Sequence, residues 1–224
     1  MKLTVLDSGR GAAALNMAID EALLEAMPRL RKPVLRFYGW TETAASFGYF
    51  QKYAEIERFT LLRPLVRRPT GGGLVPHDKD WTYSFTIPAC HKWYESSAME
   101  SYKTMHEWIR AAFAKLDVAT ELASDCRKPE PGQCFVGHEE SDLLWHGKKI
   151  AGAAQRRMRS GLLIQGSVQP PLLSMDYRAW KNAMCKAGSE GEVCQSFELD
   201  EQLIARALEF VKNKYSRESY NRKK

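Results

Sequence analysis

The sequence predicts a mixed α/β domain, and three observations carry that expectation. Short apolar or alternating runs that read as strands are spread over the first three quarters of the chain. Three longer segments place apolar residues at helical spacing. A third kind of segment, Val66–Ser84 (VRRPTGGGLVPHDKDWTYS), joins two strand-like runs through consecutive glycines. With 224 residues the chain suffices for one large domain or a domain with an appendage, and 44% hydrophobic residues permit a full core.

Taken in order, Leu3–Leu6 (LTVL) reads as a first strand, with a turn at Asp7-Ser8-Gly9. Ala12–Met27 is rich in helix formers, and Leu15, Ile19, Leu23 and Met27 define its buried face. Asn16 and Asp20 share a neighbouring stripe, which either faces a cleft or forms the solvated edge. Pro33–Tyr38 and Ala44–Tyr49 read as strands around a Gly39–Thr43 loop, and Lys52–Phe59 as a short helix. Trp81–Ile87 (WTYSFTI) alternates bulky and hydroxyl residues and reads as a strand. Ser97–Leu116 is a long helix whose stripe Tyr102, Met105, Trp108, Ile109, Ala112, Phe113 and Leu116 is expected to pack, with His106 partly exposed at its edge. After a polar loop at Glu121–Gln133, Ser141–Trp145 and Lys148–Ala151 read as a hairpin over His146-Gly147. Arg156-Arg157 precedes a turn at Arg159–Gly161, and Leu162–Val168 is a further strand. Leu203, Ile204, Leu208 and Val211 mark one side of a C-terminal helix.

The Gly-rich stretch holds the densest chemistry. Gly71, Gly72 and Gly73 open backbone angles closed to other residues and let a ligand approach main-chain N–H groups. Arg67 and Arg68 precede them, and His77 and Asp78 follow. A glycine run alone reads as a tight hairpin; with these flanks it reads as a site that grips an acyl carboxyl derivative. Five cysteines (Cys90, Cys126, Cys134, Cys185, Cys194) form no CxxC and are odd in number, which points to free thiols in a reducing cytoplasm and not to a metal site. No apolar run reaches membrane-spanning length. Much of the net charge of +6 sits in Lys212–Lys224, expected to be a solvated end. The remaining mildly basic surface suits an acidic protein partner, and no helix-turn-helix or RNP-like pattern supports nucleic-acid binding.

Several of these motifs resemble the lipoate–protein ligase and octanoyltransferase superfamily. RRPTGGG with VPHD resembles the family loop RRxTGG followed by V-x-H-D. In RFYGWTETAASFGYFQ, Tyr38, Trp40, Ser46, Gly48 and Gln51 match the family's acyl-pocket segment, with Glu42 where proline is common. GKKIAGAAQRR and GLLIQGS match a further block, in which Lys149 takes the place of the characteristic lysine and Gln165 that of a usual histidine. The segment holding Asp20 and Glu21 also recurs, as a holder of loops. The resemblance covers nearly all of Asp7–Val168. It implies one catalytic domain over 1–224, built on a mixed, mostly antiparallel sheet flanked by helices, with 171–213 a helical C-terminal part and 214–224 a basic tail. It further implies that Lys149 touches the reacting carbonyl, and that Arg68, Thr70, Gly71, Gly72, Gly73, His77, Gly152, Ala153, Tyr38, Ser46 and Gly48 shape the acyl site.

Two mechanisms share this scaffold. A ligase activates lipoate with ATP and Mg; an octanoyltransferase takes octanoate from octanoyl-acyl carrier protein onto a cysteine and needs neither. Both deliver to a lysine of lipoyl domains, such as the glycine cleavage H protein or 2-oxoacid dehydrogenase subunits. Cys134-Phe135, fifteen positions before Lys149, resembles the nucleophile pair of the LipM-type transferases. HDKDWTYS resembles the transferase form H-D-x-E-L-T-Y-S, with Asp80 and Trp81 where ligases carry Gly-Asn. No room remains after Ile204–Lys212 for the small C-terminal domain of a self-sufficient ligase. Gly73, in contrast, matches the ligase GGG. A biotin–protein ligase is disfavoured because its G-R-G-R loop is missing. The expectation is a transferase with Cys134 as nucleophile, Lys149 as carbonyl binder and His77 orienting the loop.

Overall fold

The bulky–hydroxyl alternation of WTYSFTI builds the middle of the fold. The structure is a computed structural model and describes residues 3–127, 137–171, 174–189 and 193–223. It begins with β1 (Thr4–Gly11), α1 (Ala13–Leu30), β2 (Val34–Trp40), β3 (Ala44–Phe47), α2 (Tyr53–Ile56), β4 (Leu65–Arg67), β5 (Val75–His77) and β6 (Trp81–Pro88). It continues with α3 (Lys92–Glu95), α4 (Ala98–Ala114), β7 (Glu121–Leu122), β8 (Leu143–Trp145), β9 (Lys148–Met158) and β10 (Gly161–Val168). Last come α5 (Tyr177–Gly188), β11 (Gln195–Ser196), α6 (Glu201–Phe210), a π-helical turn (Val211–Tyr215) and α7 (Glu218–Asn221).

The main sheet has the order β11-β1-β2-β6-β10-β9-β8-β7. β1 runs parallel to β11 and β2, and the other pairs are antiparallel. This is the mixed, mostly antiparallel sheet the resemblance implied. A smaller sheet, β4-β3-β5, carries the strands on either side of the Gly-rich loop. On β6, Tyr83, Phe85 and Ile87 point to one face and join Leu35 and Phe37 of β2. They bury against Trp108, Ile109 and Phe113 of α4 and Trp180 of α5. The hydroxyls Thr82, Ser84 and Thr86 point to the other face, under α1, and all are buried. α1 is itself sandwiched, with α6 on its outer side. α4 begins at a capping box: Ser97 Oγ accepts from Glu100 N at 3.2 Å and Glu100 Oε2 accepts from Ser97 N at 2.8 Å. Among the described residues, no helix is long and apolar enough to cross a membrane.

Four local readings are corrected. The expected turn at Asp7-Ser8-Gly9 is an irregularity inside β1, whose register shifts between Asp7 and Arg10, with Gly9 at φ 66°. β9 continues past Ala151 to Met158, because pairing with β10 supplies main-chain partners that its small and charged residues do not advertise. His106 is fully buried; its Nδ1 donates to the Tyr102 carbonyl at 3.0 Å. The basic end is not solvated throughout. Tyr215 is buried, and Lys214 and Tyr215 both bond the Glu21 carboxylate at 2.6 Å.

Asn16 and Asp20 settle as buried residues and not as a wet edge. Asp20 Oδ1 accepts from Arg36 Nη1 at 2.7 Å and from Ser84 Oγ at 2.6 Å. Its Oδ2 accepts from Tyr38 Oη at 3.1 Å and from Gln165 Nε2 at 2.7 Å. The Arg36 guanidinium also donates to the Asn16 carbonyl at 2.9 Å, Asn16 Oδ1 at 3.0 Å and Ser8 Oγ at 2.8 Å. Removing one partner leaves a buried charge uncompensated. Asp20→Ala is therefore expected to lower unfolding stability by about 3–5 kcal/mol, read from urea denaturation. Burial pushes His106 down from 6.5 to about 4. The unfolded chain takes up that proton first, so stability falls as pH drops from about 6.5 to about 4, by roughly 3 kcal/mol. Denaturation midpoints across that window should flatten in His106→Gln.

Candidate active site

The hydroxyl face of β6 and the small residues of β9 and β10 enclose one cavity with the Gly-rich loop. It measures about 490 Å³ including its open mouth. Tyr38, Trp40, Ser46, Arg68, Gly72, His77, Lys149, Gly152 and Ala153 all stand on its wall, alongside Met17, Val75, Ala154 and Gln165. The sequence-marked residues of four separate stretches thus meet at one place. Small side chains on β9 leave the space open, while Tyr38, Trp40 and Met17 make much of the wall apolar. Such a slot suits a saturated chain with a polar group at one end.

Thr70, Gly71, Gly73 and Gly48 act from behind the wall. Thr70 Oγ1 donates to Gln165 Oε1 at 2.7 Å, and the Gln165 amide nitrogen faces Asp20, so the buried carboxylate is linked through Gln165 to the loop. The Gly71 and Gly73 carbonyls accept from Arg68 Nη2 at 2.6 and 2.7 Å, and Ser46 O accepts from its Nη1 at 3.2 Å. Arg68 therefore holds the loop closed while lining the cavity. Gly72, at φ 83°, gives the loop its left-handed corner. Gly48 abuts it so closely that a Cβ would stand 1.9 Å from the Gly72 carbonyl oxygen. Arg67, read from sequence as a second cation of the site, points elsewhere. Its guanidinium is taken up by main-chain carbonyls of Tyr49, Gln51, Tyr220, Asn221 and Lys223.

His77 sits in a buried chain of hydrogen bonds. Asp80 Oδ2 lies 2.9 Å from Nδ1, and Ser46 Oγ lies 2.8 Å from Nε2. The carboxylate is an acceptor, so Nδ1 carries the proton in the neutral ring and Nε2 accepts from Ser46. Asp80 also accepts from Thr82 Oγ1 at 3.0 Å and Ser167 Oγ at 2.7 Å, and the Trp40 indole stacks on the imidazole at 3.8 Å. Both ring nitrogens are occupied, which fits an orienting role.

Lys149 presents a nearly buried ammonium to the cavity. Its Nζ lies 2.7 Å from Asp142 Oδ2, and the two side chains are 8% and 0% exposed. Asp142 is fixed in turn by the Glu139 N–H at 2.7 Å and by the Tyr102 hydroxyl. Burial, then the charge of Asp142, pushes the Tyr102 hydroxyl well up, so it stays protonated and donates. Sequence reasoning assigned no role to Asp142 and put Tyr102 in the packing stripe. The one available signal was an acidic residue opening an apolar strand, SDLLW. Gly152 makes room for the pair: a Cβ there would stand 2.7 Å from Lys149 Cε. An ammonium held in this way can receive negative charge developing on a carbonyl oxygen. Cys134 lies outside the described residues. No group of three His, Cys, Asp or Glu is placed to hold a metal among those described.

A family model described as the lipoyl protein ligase A/B catalytic domain matches residues 12–209. The chain belongs to this family. The octanoyltransferase LipM of Geobacillus kaustophilus is 37% identical over 184 residues, covering 76% of this chain and 65% of that protein. Octanoyltransferase LipM of Lysinibacillus sphaericus is 32% identical over 213 residues, 89% of this chain and 76% of that one. The chain thus spans about 65% of the length of the Geobacillus relative. Among solved structures, a lipoate-protein ligase A bound with ATP superposes with a TM-score of 0.78 at 22% identity, over 99% of this chain and 98% of that one. A bi-partite lipoate protein ligase from Thermoplasma acidophilum gives 0.71 at 21% identity, over 99% and 95%. These likenesses establish the ligase-family fold.

The two close-packed glycines separate site from scaffold. Gly48→Ala drives a methyl into backbone and should cost about 1–3 kcal/mol in thermal or urea unfolding. In Gly152→Ala the methyl meets the flexible end of Lys149, 2.7 Å from Cε, and stands 3.3 Å from Asp142 Oδ1, so the backbone keeps its place and the stability cost should be smaller than in Gly48→Ala. Lys149 should instead be displaced from Asp142 and acetylated several-fold faster in a lysine-labelling time course read by peptide mass.

Proposed function

We propose that this chain transfers an octanoyl (or lipoyl) group to a specific lysine of lipoyl domains, in a reducing cytoplasm and without ATP. The observation that carries the reading is the nearly buried Lys149 ammonium on the wall of an apolar slot. The 32–37% identity to proteins named octanoyltransferase LipM supports it. In this reading Cys134 is the nucleophile and octanoyl-acyl carrier protein the donor.

The Cys134 thiolate adds to the thioester carbonyl, and Lys149 stabilises the oxyanion of the tetrahedral intermediate. The carrier thiolate leaves, and the acyl group remains as a cysteine thioester. One thioester replaces another, so the exchange is nearly isoenergetic. The acceptor lysine then loses a proton to solvent or to a base, attacks as a neutral amine, and expels the Cys134 thiolate with formation of an amide. Cations lower a thiol from its usual range near ~8.5 towards a reactive value, a part open to Lys149. The cavity wall of Tyr38, Ser46, Gly72, His77, Gly152 and Ala153 takes the hydrocarbon chain.

Incubation with octanoyl carrier protein followed by intact-mass and peptide analysis is expected to place an octanoyl adduct on Cys134. Cys134→Ser should fold and lose transfer, and Lys149→Ala should lose about 10²–10³ of the rate. Formation of lipoyl-adenylate from lipoate and ATP, with no adduct on Cys134, would transfer the assignment to a ligase.

A further inference from the structure

We propose that Arg217–Lys223 is a positioning strap for the acyl site, acting through Arg67; the affinity arm of this inference rests on the acyl-site reading above. The guanidinium of Arg67 has five N–H donors. Nε donates to Tyr220 O at 3.2 Å, Nη1 to Tyr49 O and Gln51 O at 2.6 Å each, and Nη2 to Asn221 O and Lys223 O at 2.9 Å each. The Arg67 main-chain N–H donates to Asn221 Oδ1 at 2.8 Å, and the Phe47 ring lies 4.8 Å from the guanidinium carbon. The side chain is 2% exposed overall, and its cationic charge is met by carbonyl dipoles, three of them from the end of α7. Charge-assisted bonds of this kind are the stronger class, and a partly dismantled cage would leave a buried cation unsatisfied.

The cage has two halves. One half is the Tyr49–Gln51 turn, whose Tyr49 N–H donates to the Thr70 carbonyl at 2.9 Å and whose neighbour Gly48 bears on Gly72. The other half is the C-terminal segment. Arg67 joins them directly before Arg68, which lines the cavity and bonds Gly71 and Gly73. The Lys223 ammonium lies 3.7 Å from the Tyr49 ring centroid and adds a second tie. The strap thus reaches the cavity wall through two consecutive arginines, one reading the tail and one the glycine loop. Its effect is on where the loop stands.

The test compares the full chain with a chain ending at Ser216, with Arg67→Lys, and with Asn221→Ala. Two readouts are used: amide hydrogen exchange over 68–77, and calorimetric binding of an unreactive octanoyl amide of pantetheine. Loss of the strap is expected to speed exchange in the loop and to weaken octanoyl binding about tenfold, as when the competent loop position is held about a tenth of the time. Added peptide of sequence RESYNRK should restore both in the shortened chain, saturably, and should fail to do so when Arg67→Lys is also present. Should the shortened chain not fold, Asn221→Ala, which removes the side-chain bonds to the Arg67 amide and to the Tyr215 and Arg217 carbonyls but leaves the Arg67 guanidinium cage of main-chain carbonyls, should shift both readouts in the same direction by a smaller factor. Unchanged exchange and affinity in the shortened chain, or in Asn221→Ala where the former does not fold, would overturn the proposal, as would a peptide that alters neither. Faster loop exchange in a protein whose full chain binds no octanoyl probe would keep the strap and remove the acyl reading instead.

Discussion

A carboxylate with no exposed surface holds this molecule together at its functional end. Asp20 is surrounded by Arg36, Ser84, Tyr38 and Gln165, which come from β2, β6 and β10 around α1. Taking such a pair out of water is expensive unless each lone pair finds a donor in good geometry. That requirement fixes α1 on the sheet and sets the register between the helix and three strands. It also selects which polar residues can line the hydroxyl face of β6. Because Gln165 carries the chain of bonds onward to Thr70, the Gly-rich loop inherits its position from the same carboxylate.

The cavity follows from this arrangement and from side-chain size. Where β9 and β10 present Gly152, Ala153, Ala154 and Gly166, the sheet has no bulk to fill the space beneath the loop. The loop does not collapse into that space because Arg68 spends its donors on loop carbonyls and Gly48 braces Gly72 from outside. Two acid–base pairs then reach the wall through Lys149 and His77. Asp142 with Lys149 keeps a charge available towards the slot, while Asp80 with His77 locks a ring in place against Trp40. Similar chemistry, a carboxylate beside a nitrogen base, presents a charge to the slot in one position and fixes a ring in the other. The difference is what the remaining atoms of the base can reach.

The basic C-terminal residues illustrate how charge alone misleads. Six cations in thirteen residues look like a solvated end, since a run of like charge carries no apolar face to bury. In the fold, Tyr215 and the main chain of Tyr220–Lys223 do the packing, and Lys214, Arg222 and Lys223 lie over aromatic rings or beside Glu21, Glu57 and Glu218. Arg67 was misjudged for the related reason that a cation beside a glycine loop looks like a ligand grip. Nothing in its local sequence reveals that carbonyls 153 to 156 positions away absorb its donors.

The amino-acid sequence by itself determined the mixed strand-and-helix order, the alternation that gives β6 one apolar and one hydroxyl face, and the motif residues that line the cavity. Those features are local: a period of two, a glycine run and a small-residue strand act over a few neighbours. Tertiary structure alone decided that Asp142 partners Lys149, that Arg67 faces the tail while Arg68 faces the slot, and that β9 runs on through two arginines. Each of these depends on a long-range partner that supplies hydrogen bonds or removes water, and a burial energy of that kind has no signature in the neighbouring residues.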